Sequence, residues 1–145
     1  MDNRVKTAIQ EAVTREPFAR ALEMALVALA DGYSAVEMRY RPSLMNNIYS
    51  RAHGGAIFAL IDEAFETSAQ TDGTIAVALN VNVTYVASPE GEERLRAESR
   101  RVSQTKRTAG YDIKVTGRNG RLIATCQALA YSTGKPIPFL PDALE

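Results

Sequence analysis

The chain has a single cysteine, Cys126, and a single histidine, His53. One thiol cannot close an internal disulfide, and no Cys/His set with metal-ligand spacing exists, which excludes structural zinc and suits a reducing compartment. Net charge is missing as well: 17 Lys and Arg balance 17 Asp and Glu, with a pI near 6.6. Without a positive excess there is no field to hold a polyanion, so a nucleic-acid partner is not expected. Nor does the N-terminal stretch contain a long apolar run, because Asp2, Arg4, Lys6, Glu11, Arg15, Glu16 and Arg20 interrupt it. No signal peptide or membrane span is expected there, and the expected location is the cytoplasm. Internal repeats, low-complexity tracts and linkers are also lacking.

What is present is enough for one domain. A chain of 145 residues and 15.8 kDa buries roughly 68–70% of its unfolded surface without covalent staples. From Asn3 to about Arg15, Val5, Ala8, Ile9, Ala12 and Val13 recur at helical spacing with charges between them, and Pro17 ends the helix. The run Ala21–Ala30 stays open on propensity: Ala, Leu and Met favour helix, whereas Asp31-Gly32 is a hairpin signal before the β-like Tyr33–Tyr40. A second helix is predicted between about Ala52 and Gln70, ended by the turn Thr71-Asp72-Gly73.

Beyond Gly73 the period changes to two. Ile75, Val77, Leu79, Val81, Val83 and Tyr85 face one way, and Ala76, Ala78, Asn80, Asn82 and Thr84 the other. After the turn Ser88-Pro89-Glu90-Gly91, Leu95, Ala97 and Ser99 alternate with Arg96, Glu98 and Arg100 in a second strand. Two more strands, Arg107–Gly117 and Arg121–Ser132, flank Arg118-Asn119-Gly120, where Asn-Gly supplies the positive φ of a tight hairpin. Past Ser132 the prolines predict an extended tail, free to pack on a neighbour, rather than a central strand.

On a helical wheel, Leu60, Ala64, Ile57, Ser68, Ile61, Phe65 and Phe58 fill an arc of about 160°, the signature of a helix packed on a sheet. Asp62 lies about 40° beyond Phe58, at the edge of that arc, whereas Glu63 and Glu66 point away with Gly55, Ala56 and Ala59. One acid therefore stands apart from the others. His53-Gly54-Gly55 opens the helix, where main-chain N–H groups lack acceptors and the dipole is positive. An oxygen developing negative charge can dock there, and the glycines let it approach the backbone closely.

The string from His53 through Phe65, HGGAIFALIDEAF, resembles the central-helix signature of the hotdog-fold thioesterases of the phenylacetate-degradation (PaaI-like) branch. The likeness extends to Asn47, to Asn82-Val83-Thr84-Tyr85 with Ser88-Pro89, to Tyr111-Asp112-Ile113 and to Gly120-Arg121-Leu122-Ile123-Ala124-Thr125, covering about residues 22–132. The resemblance implies an α+β hotdog fold, a long central helix wrapped by a curved antiparallel sheet, with an extra N-terminal helix. It also implies a strand before Asp31-Gly32. The domain division expected is residues 1–20 as a helical extension, 21–132 as the hotdog domain and 133–145 as an extended tail.

By the same resemblance the chain is expected to hydrolyse an aryl- or medium-chain acyl-CoA, with no metal or organic cofactor, as a homodimer or a dimer of dimers whose sites lie at the subunit interface. Asp62 would be the general base or nucleophile, Gly54 the main-chain donor to the thioester carbonyl, and Asn47 and His53 residues that orient substrate or water. Gly55, Tyr49, Phe58 and Phe65 are candidate substrate contacts. Ala78 falls where several relatives carry a serine or threonine near the catalytic water. Lys106, Arg107 and Thr108 are the candidate CoA-phosphate contacts, with Arg39 and Arg41 as other options. Three readings compete: a non-catalytic acyl-CoA-binding module, an enoyl-CoA hydratase or dehydratase of the same fold, and a purely structural oligomeriser. Possession of Asn47, His53, Gly54 and Asp62 together favours hydrolysis.

Overall fold

The computed structural model describes residues 1–140. Helix α1 (Asn3–Arg15) leads into the short α2 (Pro17–Ala21). Asp2 caps α1 by accepting the Arg4 N–H at 2.8 Å, and Val5, Ala8, Ile9 and Val13 form its buried stripe. The stretch that propensity left open becomes strand β1 (Ala25–Ala30), paired antiparallel with β2 (Tyr33–Tyr40). Sheet pairing overrides the helix preference of Ala and Leu. Between them Gly32 sits at φ +60°, and a Cβ there would strike the Arg101 side chain at 2.8 Å.

A connection containing the one-turn helix α3 (Pro42–Met45) then delivers the chain to the central helix α4 (Gly54–Ala69). Strands β3 (Thr74–Tyr85), β4 (Glu93–Gln104), β5 (Thr108–Thr116) and β6 (Leu122–Pro136) complete one antiparallel sheet in the order β1-β2-β4-β5-β6-β3. The β5–β6 hairpin turns where expected, with Asn119 at φ 57° and Gly120 at φ 72°.

Helix α4 lies across one face of this sheet, in contact with all six strands, burying Ile57, Leu60, Ile61, Ala64 and Phe65. Each such large side chain contributes about 1.5–3 kcal/mol on burial. Three further contacts fix its height and rotation: Ser34 Oγ donates to the Ala64 carbonyl at 2.6 Å, Ser68 meets Ser99 at 2.7 Å, and the Phe65 and Tyr111 rings pack edge-on at 5.3 Å. The predicted arc is corrected at one place, and the face opposite it proves to be covered. Phe58 remains 36% exposed, and Glu63, placed by the wheel on the outward face, is only 3% exposed. A helix lying on a sheet alone would leave that face wet, but here the turn between α1 and α2 comes down on it and brings Glu16 against Glu63.

The alternation in β3 is also corrected. Its pairing with β6 slips between Ala78 and Asn80: Ala78 pairs with Ala130, Asn80 with Leu129, Val81 with Ala128 and Val83 with Cys126. Ala124, Cys126, Ala128 and Ala130 are buried on β6. The extra residue at Leu79 is a bulge that exchanges the faces of β3. Before it, Ala76 and Ala78 look toward α4; after it, Val81 and Val83 do. A strict period of two would have put Ala78 on the face opposite Val81.

The end of the chain departs from expectation too. Strand β6 continues past Ser132 to Pro136, at the sheet margin where proline is tolerated, and Ile137 N–H donates to the Gly73 carbonyl at 3.0 Å. Ile137 is fully buried in its own subunit rather than on a neighbour.

Candidate active site

Asp62 sits on α4 at the mouth of a cavity of about 180 Å³, lined also by Phe65, Glu66, Ala69, Ala76, Val77, Ala78 and Ala130. Its carboxylate is open to solvent in the single subunit and, among the described residues, has neither a hydrogen bond nor an ion pair. The wall around it is nevertheless mostly apolar, and this partial desolvation raises its carboxyl above the usual carboxylate range. A carboxylate of raised basicity that retains access to solvent is suited to taking a proton from water. Cys126 lies nearby but stays a thiol, since burial pushes it up to about 11.

The bulge is what brings Ala78 to this cavity, and no hydroxyl stands at that position. Lys106, Arg107 and Thr108 line a neighbouring recess that shares Ala69, Ala76 and Ala130 with the Asp62 cavity. Arg107 donates to the Tyr131 hydroxyl at 2.7 Å and Thr108 meets Thr105 at 2.9 Å. Lys106 is without a partner among the described residues. The other cationic candidates are engaged elsewhere, Arg39 with Glu92 and Arg41 with Glu23.

The remaining predicted residues gather at the opposite end of α4. His53 is the N-cap, its Nδ1 accepting the Gly55 N–H at 2.9 Å. With Nδ1 committed as acceptor, a neutral imidazole carries its proton on Nε2 and offers a donor outward. The Gly54 N–H, first in the helix, has no acceptor among the described residues. Asn47 ties its own loop: its Oδ1 accepts from Tyr49 N–H at 2.9 Å and Arg51 N–H at 3.1 Å. Both acceptor bonds go to Oδ1, so the Nδ2 amide is left to donate. Tyr49 is exposed on that loop and Gly55 on the first turn of the helix.

Tyr85, not among the predicted site residues, proves to be part of this end. Its hydroxyl donates to the Gly54 carbonyl at 3.2 Å, and a Cβ on Gly54 would meet the ring at 3.2 Å. Its sequence signal was its place at the end of β3, two residues after an inward-facing valine.

Gly54 and Asp62 are eight residues apart on one helix, about 12 Å along its axis. The structure thus brings Asp62, Phe65, Ala78 and the recess of Lys106, Arg107 and Thr108 together at one end, and Asn47, His53, Gly54 and Tyr85 at the other. A donor at one end cannot serve a carbonyl attacked at the other within the same chain.

Comparison with known proteins agrees with this architecture. Residues 49–124 match the thioesterase superfamily. A protein of Archaeoglobus fulgidus named as an esterase is 31% identical over 117 residues, covering 81% of this chain and 75% of that one. The acyl-coenzyme A thioesterase PaaI of Escherichia coli is 25% identical over 119 residues, 82% of this chain and 84% of that protein. Its structure superposes with a TM-score of 0.87 at 23% identity, covering 93% of this chain and 97% of that one. A thioesterase-type protein from Streptococcus pneumoniae, solved with coenzyme A, superposes with a TM-score of 0.75 at 24% identity, over 81% of this chain and 92% of that one. The chain belongs to the thioesterase superfamily and is a thioester hydrolase with the hotdog fold, of the PaaI-like branch.

Proposed function

We propose that the protein hydrolyses an aryl- or medium-chain acyl-CoA to the free acid and CoA, using water and no resident cofactor. The observation that carries this reading is the unpartnered Asp62 carboxylate at an apolar-walled cavity, eight residues along α4 from an unsatisfied helix N-terminus. The acyl group lies along Phe65 and the alanines at 69, 76, 78 and 130. Asp62 acts on the thioester carbon as general base through water or as nucleophile. Negative charge then developing on the carbonyl oxygen is met by the Gly54 N–H and the positive end of the α4 dipole. Asn47 Nδ2 and His53 Nε2 supply further donors, and Lys106, with Arg107 and Thr108, meets the CoA phosphates.

Because about 12 Å separates Gly54 from Asp62 along the helix, the reading requires two subunits, with Asn47 and Gly54 of one facing Asp62 of the other. Strand β3 supports this. Among the described residues it pairs only with β6, leaving a twelve-residue edge that carries exposed Val77, Leu79 and Tyr85. An open apolar edge of that length is a template for pairing with a second copy. A dimer of dimers and cytoplasmic residence belong to the same proposal. Among the described residues no helix is long and apolar enough to cross a membrane.

A panel of aryl- and straight-chain acyl-CoA thioesters, followed by release of free thiol, tests the reading. Turnover of at least one class is expected. Tight binding of acyl-CoA with no thiol released across the panel would replace hydrolysis with a binding function.

A further inference from the structure

Where α4 meets the α1–α2 turn, three carboxylates converge, one of which, Glu66, also borders the Asp62 cavity. Glu16 stands at the turn between α1 and α2 and caps neither through its side chain; its carboxylate instead meets those of Glu63 and Glu66. One oxygen from each of the three lies within 4.8 Å of the other two. Among the described residues none of the three has a basic partner, and Arg15, which lines the adjacent groove, pairs with none of them. Glu63 is 3% exposed and its Oε1 has no hydrogen-bond partner. A buried carboxylate oxygen with nothing to accept from is costly unless a proton or a cation meets it.

We propose that Glu16, Glu63 and Glu66 form a binding site for a hard divalent cation (calcium, magnesium or manganese) that pins the α1–α2 turn to the central helix. The donor set is all oxygen and anionic, which selects this class over zinc or copper. Bonds of about 2.0–2.6 Å from a central ion span up to about 4–5 Å between opposite ligands, so these oxygens can all reach one ion. The groove beside the cluster, about 440 Å³ and bordered by Ile9, Val13 and Phe139, leaves room for waters to complete the coordination. The ion is structural: it holds an N-terminal helix in place and takes no part in thioester cleavage.

The test uses chelator-treated whole protein titrated with manganese, free ion being read by electron paramagnetic resonance. One saturable site per chain is expected, emptied by excess calcium or magnesium. Glu63→Gln should abolish binding. Glu16→Gln, on the turn outside the core, should weaken it at least tenfold while the circular dichroism spectrum is unchanged, so the test stands even if Glu63→Gln folds poorly. Absence of saturable binding to the wild-type chain up to millimolar manganese, or binding that survives Glu16→Gln, would overturn the site and leave a proton as the only counter-charge.

Discussion

Asp62 and Glu63 are consecutive on one helix, yet Asp62 opens into an alanine-walled cavity without a partner whereas Glu63 is 3% exposed beneath Glu16. The 100° step of the helix separates the two roles. One acid can reach a thioester; the other cannot be reached by one.

Asp62→Asn should therefore lower turnover by about 10²–10⁴-fold, the usual loss for a general base, whereas Glu63→Gln should change it by less than about threefold. Steady-state thiol release from the best acyl-CoA checks both. In the wild type the acid limb of the rate should fall at a pH above the ordinary carboxylate range, since desolvation raises Asp62 and only its ionised form takes a proton. Comparable losses in the two variants would remove Asp62 from the chemistry.

Stability should show the opposite assignment. The folded value of Glu63, about 8, lies above its ordinary 4.5. Between these limits the native state keeps a proton that the unfolded chain has lost, so stability is full below about 4.5 and declines as pH rises toward about 8. The slope approaches about 1.4 kcal/mol per pH unit for one proton. Glu66 is shifted the same way by burial and by Glu16. In chelator, urea titrations from pH 5 to pH 8 should show the decline in wild type and a shallower one in Glu63→Gln. A wild-type stability that is flat over this range would contradict the buried, unpaired carboxyl.

Lys106→Ala should raise KM for acyl-CoA about tenfold or more with kcat nearly unchanged, because it meets a remote phosphate and not the reacting carbon. The same variant should be indistinguishable from wild type on a truncated thioester that ends at the pantetheine arm. Salt should raise KM for acyl-CoA in wild type more than in Lys106→Ala. Equal effects of the substitution on both substrates would place the phosphates elsewhere.

Much of this was legible in the chain. Helix α1, the Asn119-Gly120 hairpin and the alternating strand β4 follow from spacing and turn chemistry, since each is specified by contacts close in sequence. What stayed hidden depends on neighbours distant in the chain. A wheel cannot show that the α1–α2 turn will cover the outer face of α4, so Glu63 read only as pointing away from the sheet, structural or interfacial. The bulge at Leu79 leaves no compositional mark, so Ala78 read as facing away from Val81 and Val83. Val77 and Leu79 looked like ordinary core because a strand pattern does not reveal that the strand is an edge. For the site, Asp62, Gly54 and His53 could be picked out, but the commitment of His53 Nδ1 to Gly55 and of Asn47 Oδ1 to its own loop depends on local folding that residue types alone do not specify.

The central claim is a site built from two chains, and subunit mixing tests it most directly. Asp62→Asn removes the base, and Asn47→Asp keeps the two bonds to Oδ1 while removing the Nδ2 donor. Each homodimer should be nearly inactive. Unfolded and refolded together in equal amounts, the two chains form mixed dimers in which one site carries both changes and the other neither. Random pairing then restores roughly a quarter of wild-type activity per site. A mixture that stays as inactive as its parents, although native mass spectrometry shows the mixed dimers, would mean that Asn47 and Asp62 serve the same chain's site and that the proposed active centre is wrong.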